Sequence, residues 1–133
     1  MPVELTYLVL SALLAASLWI PFIVGVNMHP VQGNPFERPP DLNAFPAWVH
    51  RAHRAHLNMV ESLVPFAVVV LIAHSLAVSS TVTIWASAAF FWLRVAHAIG
   101  MISGQAQLPL RPIIFTASYV CTMVIGVAVL ILA

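Results

Sequence analysis

The chain has 133 residues, 62% of them hydrophobic and 7% charged, with a formal net charge of +1 and a mean hydropathy of +0.99. Water-soluble globular domains carry about a quarter charged residues, so a soluble fold is excluded and a bilayer is the solvent. At roughly 20 apolar residues per spanning helix, the length holds at most four crossings in one domain, and so small a charge offers no basic patch for nucleic acid.

The first apolar run, Leu5 to Val26, follows Met1-Pro2-Val3-Glu4, which lacks the basic region of a cleaved signal. A retained helix over about 3–27 is expected, with Pro21 freeing one carbonyl and favouring a bend. Residues 27–46 hold five prolines (Pro30, Pro35, Pro39, Pro40, Pro46), Gly33 and three of the nine charges, Glu37, Arg38 and Asp41, and read as the one long loop. A second helix over about 47–78 carries its polar residues in its first half, and Pro65 predicts a bend where they end. Ser79 and Ser80 connect it to a third span, 81–104, with the cluster Phe90-Phe91-Trp92. After a loop from Gln105, a fourth span over 112–133 is apolar except for Thr116, Ser118, Tyr119 and Thr122, which can hydrogen-bond across or within helices. The expected fold is an all-α, integral membrane four-helix bundle.

All five basic residues are Arg, and every one except Arg94 lies in or beside the first and third loops. The positive-inside rule places those loops in the cytoplasm and both termini in the opposite compartment. The shortness of the chain suggests a bacterial inner membrane. The single Cys121 permits no intrachain disulfide and no CxxC site.

Three of the nine charges lie between Arg51 and Glu61. At about 100° per residue, Arg51, Arg54, Asn58, Glu61 and Pro65 fall within roughly one quarter of the helix circumference. An ionised side chain near the bilayer centre costs about 3 kcal/mol on insertion scales, so this stripe must face protein, water or ligand. Two roles fit it: arginines snorkelling to phosphates while Asn58 and Glu61 hold helices together, or a ligand site. Arg94, inside the third span with His97 one turn on, needs a counter-ion, and Glu61 is the candidate. Arg111 is the remaining cation on that side, a topology anchor by position alone. His50, His53 and His56 sweep across about 120° of helix with few acids nearby, so no metal is expected. No phosphate loop, GxSxG or Ser/His/Asp set is present.

Arg54-Ala55-His56-x-Asn58-x-x-Glu61-x-x-x-Pro65-Phe66 resembles the second-helix signature of the MAPEG family, the membrane-associated proteins of eicosanoid and glutathione metabolism. Arg94-Val95-Ala96-His97, Arg111 and the four spans extend the resemblance over the whole chain, as a single MAPEG-like domain, 1–133. It implies a homotrimer with a glutathione site between subunits near the cytosolic face. By that resemblance Arg51, Arg54, Asn58 and Glu61 hold the carboxylates and amino group of glutathione, Arg94 supports them, and Arg111 matches the thiolate-activating arginine. The implied activity is that of a glutathione-dependent transferase or peroxidase acting on lipophilic electrophiles or lipid hydroperoxides. The chain departs from active members at Met101 and Phe115, where they carry tyrosines, and at Pro112. One branch of the family binds lipid without catalysis, which makes a non-catalytic lipid- or partner-binding protein the alternative. A third reading, from another class, is a proton or ion relay through Glu61, Arg94 and His97.

Overall fold

The computed structural model describes residues 1–34 and 41–133. Pro35, Glu37, Arg38, Pro39 and Pro40 of the first loop lie outside the described residues. The elements in chain order are α1 (Val3–Ser17), α2 (Trp19–Met28), a short 3-10 turn (Leu42–Ala44), α3 (Ala47–Ser75), α4 (Thr81–Ser103) and α5 (Leu110–Leu132). Four helical stretches are long and apolar enough to cross a membrane: Val3–Met28, Ala47–Ser75, Thr81–Ser103 and Leu110–Leu132. No strand occurs among the described residues.

The first span is two helices, not one. Pro21 has no N–H for the carbonyl of Ser17 four residues back, and the helix is interrupted at Leu18, directly after that residue. The other proline inside a helix, Pro65, leaves α3 unbroken.

The second span ends at Ser75, earlier than the expected residue 78. Ala77 takes a left-handed conformation with φ 54°, its N–H donates to the carbonyl of His74, and the N–H of Val78 donates to that of Ala73. These two bonds make a Schellman termination, a place where glycine is usual. Ser80 then opens α4 with a capping box: its hydroxyl accepts from the Thr83 N–H, and its own N–H donates to Thr83 Oγ1. Gly104 closes α4 at φ 79°, a conformation that favours glycine.

Lipid tails are as apolar as leucine, so helices in a bilayer associate through close packing of small residues. The buried set follows that rule, with Ala52, Ala55, Ala73, Ala86 and Ala98 between helices. A Cβ on Gly25 would stand 2.6 Å from Val49 Cγ2 and 2.8 Å from Trp48, so α2 lies directly against the start of α3. At the centre the rings of Phe66 and Phe90 stack with centroids 3.8 Å apart. The helix that meets most others is α3, packed against α1, α2, α4 and α5, while α4 packs against α1, α3 and α5. The buried face of α4 bears Thr83, Ser87, Arg94 and His97.

Candidate functional site

A groove runs between α3 and α5 with α4 as its floor, and it has two sections. The mouth cleft, about 310 Å³, is lined by Asn58 from α3, His97 from α4, and Leu108, Arg111, Pro112 and Phe115 at the start of α5. The deep cleft, about 210 Å³, lies further along the span, lined by Glu61, Ser62 and Pro65, by Phe90, and by Phe115, Ser118, Tyr119, Thr122 and Met123. Phe115 belongs to both and divides them.

The stripe on α3 is therefore split. Asn58 reaches the mouth cleft and Glu61 the deep one. Arg54 is exposed and lines neither cleft. Arg51 is drawn away: its Nε donates to the carbonyl of Met101 at 3.0 Å. That bond adds a second donor to a carbonyl at the end of α4 that also accepts the Gly104 N–H at 3.2 Å. The guanidinium lies so close to Gly104 that a Cβ there would stand 3.1 Å from Arg51 Nη2.

Arg94 does not pair with Glu61. It is 1% exposed, with Nη1 donating to Ser118 Oγ at 3.5 Å and Cζ 5.9 Å from the centroid of Phe115. The side chain is directed at α5, whereas Glu61 is exposed on α3, so the cation gets a hydroxyl and a ring face in place of a carboxylate. Its Nε has no partner, and neither has Nδ1 of His97, one turn further along α4 and equally buried. The two orphaned nitrogens lie behind Phe115, whose ring is 6.4 Å from that of His97. A buried polar group without a partner costs about 1–3 kcal/mol. Of the two residues only His97 lines the mouth cleft, and Ser11, His56 and Ser87 also have a buried polar atom without a partner.

On α5 the groove face is Arg111, Phe115, Ser118 and Thr122, spaced four, three and four residues apart, with Tyr119 beside it. That helical spacing was the available signal for Phe115 and Ser118 as site residues. Ser118 and Thr122 return their hydroxyls to the carbonyls of Phe115 (2.8 Å) and Ser118 (3.5 Å), as hydroxyls in apolar helices do. Tyr119 brings a phenol to the deep cleft, one turn beyond Phe115. Met101 is buried and lines neither cleft.

The histidines of α3 diverge. His53 packs against Phe22 with ring centroids 4.6 Å apart, His56 has a buried Nδ1 without a partner, and His50 is exposed. Among the described residues no three His, Cys, Asp or Glu side chains are grouped to hold a metal ion.

Four helical stretches long and apolar enough to cross a membrane define an integral membrane protein of the helical-bundle class. The family model of the MAPEG family matches residues 5–131 of the 133, and the chain belongs to that family. MAPEG proteins are membrane four-helix bundles, and the family includes glutathione transferases and peroxidases. No curated protein and no solved structure matches the chain.

Proposed function

We propose that the protein is a glutathione-dependent transferase or peroxidase of lipophilic electrophiles or lipid hydroperoxides, assembled as a homotrimer. The observation that carries this reading is the convergence of Arg111, Asn58 and His97 on one cleft that continues, past Phe115, into a largely apolar one reaching into the span. A charged tripeptide suits the first section with its ammonium end extending to Glu61 in the second, and a lipophilic co-substrate arriving from the bilayer suits the apolar remainder of the second.

A free cysteine-type thiol has a pKa of about 8.5, and only its thiolate is a strong nucleophile. In the mouth cleft Arg111 supplies a fixed positive charge that favours the thiolate, while Asn58 offers an amide to the peptide. Glu61 takes the ammonium group of glutathione, and Arg54, exposed on the same helix, takes a carboxylate across the subunit boundary. Arg51 serves from behind by anchoring the end of α4, and Arg94 adds positive potential from the floor. In the transferase reaction the thiolate sulfur forms a bond to an electrophilic carbon. The electron pair of the broken bond departs with the leaving group, or with the adjacent atom when the substrate is an unsaturated acceptor. The proton released by the thiol goes to water at the mouth. We place the arginine-bearing first and third loops in the cytoplasm of a bacterial inner membrane, both chain ends on the opposite side, and treat residues 1–133 as one domain.

Titration of the detergent-purified protein with glutathione, followed by thiolate absorbance, tests this. Saturable binding with a thiolate signal near neutral pH is expected. Binding without that signal rejects catalysis and favours the second reading, a lipid- or partner-binding protein, which the phenyl ring of Phe115 at the junction of the two clefts supports.

A further inference from the structure

At the other end of the bundle, α1 begins with a carboxylate that the thiol chemistry does not use. Glu4 is 7% exposed. Ser79 Oγ donates to its Oε1 at 2.8 Å and Thr83 Oγ1 to the same oxygen at 2.7 Å. No side chain donates to Oε2. An ionised carboxylate has about four acceptor positions, so half of its capacity is unused by side chains.

Glu4 lines a cavity of about 210 Å³ among α1, α3 and α5, several times the roughly 30 Å³ of a water molecule. Its walls are aliphatic, with Leu5, Val70 and Ile125, and its other polar members are His74 and Ser79. The arginines among the described residues, Arg51, Arg54, Arg94 and Arg111, all belong to the half of the molecule that holds the mouth cleft, and the chain has no lysine. The N-terminal ends of α1 and α4 lend partial positive charge, but they put no side-chain donor on Oε2. A buried carboxylate without an ion pair is costly, and here the oxygen that no side chain serves belongs to a residue that walls a cavity.

We propose that this cavity takes the primary ammonium head of an amphiphile, with N–H donated to Glu4 Oε2 and the attached methylenes against Leu5, Val70 and Ile125. The ammonium can come from an aminophospholipid of the surrounding bilayer or from a soluble alkylamine. A quaternary head has no N–H and cannot make this bond. The assignment is independent of the glutathione reading, because no residue is shared between the two sites.

The test is thermal unfolding and lipid retention of the full chain in neutral detergent, with phosphatidylethanolamine, phosphatidylcholine of the same acyl chains, or hexylammonium added. Phosphatidylethanolamine is expected to bind about tenfold tighter than phosphatidylcholine, the worth of one charge-assisted hydrogen bond. The preference disappears in Glu4→Gln, whose amide oxygen still accepts from Ser79 and Thr83. It also disappears in Val70→Phe, which fills the cavity and keeps the carboxylate. It persists in Thr83→Val, which loses one bond to Glu4 and leaves the charge. Stabilisation by hexylammonium alone, lost in the same two variants, assigns the cavity to a soluble amine and upholds the ammonium chemistry. Equal retention of both lipids with no effect of hexylammonium, or a preference that survives Glu4→Gln, overturns the proposal.

Discussion

Replacing Arg111 by alanine isolates the electrostatic contribution to thiol activation. Two unit charges about 4 Å apart attract by about 4 kcal/mol at an effective dielectric constant of about 20. Arg111 is half-buried at the mouth of an open cleft, so solvent screening removes roughly a third of that and leaves about 2.7 kcal/mol, or about two pKa units at 1.36 kcal/mol each. The bound glutathione thiol then titrates near pH 6.5 in the parent and near 8.5, its free value, in Arg111→Ala. At pH 7 the thiolate fraction falls from about three quarters to about 3%, roughly a 25-fold loss. Thiolate absorbance of the saturated complex, recorded from pH 5 to 10, reads both midpoints directly. The sign is fixed: a cation favours the charged form of the thiol, so its removal moves the midpoint upward. A variant midpoint within half a unit of the parent, with glutathione still bound, refutes Arg111 as the thiolate's partner.

Glu61→Gln is expected to weaken glutathione binding by about tenfold or more, the loss of one charge-assisted contact, while leaving the oligomer intact by native mass spectrometry; equal loss of both makes Glu61 a residue of assembly. Arg51→Met should leave glutathione affinity within about twofold and lower the unfolding temperature, because it removes a hydrogen bond from α3 to the end of α4 worth about 1 kcal/mol, while the Met101 carbonyl keeps the Gly104 N–H. Calorimetry beside titration separates the two effects. Ala77→Gly should stabilise the chain by about 1 kcal/mol, since alanine at φ 54° pays a left-handed penalty that glycine does not; an unchanged or lower unfolding temperature contradicts that account of the turn.

Most of the fold could be read from composition, because spans of apolar residues have few alternatives in a bilayer. The interruption at Leu18 was foreshadowed by Pro21, but a proline alone does not specify whether a helix continues or stops, and Pro65 leaves α3 unbroken. The end of α3 was harder to place, since an alanine in a left-handed turn carries none of the signal that a glycine would. Within the site, helical spacing exposed the stripe from Arg51 to Glu61 but said nothing about which members meet the same cavity. Arg51 was captured by a main-chain carbonyl, a partner that exists at every helix end and has no side-chain signature. Arg94 went to Ser118, and charge matching had suggested Glu61. Sequence shows formal charges, whereas the direction a long side chain takes is set by which neighbouring helix offers room and an acceptor.

The exposure of Arg54 and Glu61 on α3 is the feature of the single chain that calls for a second component. They lie seven residues apart, about 10 Å along the axis at 1.5 Å per residue. Arg54 is near the start of α3 and can extend its guanidinium toward the headgroups. Glu61 is the fifteenth residue of a 29-residue helix, at its midpoint, and its side chain is too short to reach either surface. Left against acyl chains, its charge costs about 3 kcal/mol. Among the described residues it makes no ion pair, and Arg94, the nearest cation by depth, is committed to Ser118. A partner from outside the described residues suits this position, either a cationic group of a ligand or a neighbouring copy packed on α3. The two coincide if the ligand sits at the subunit boundary, because the surface that excludes lipid from Glu61 then also closes the open side of the deep cleft.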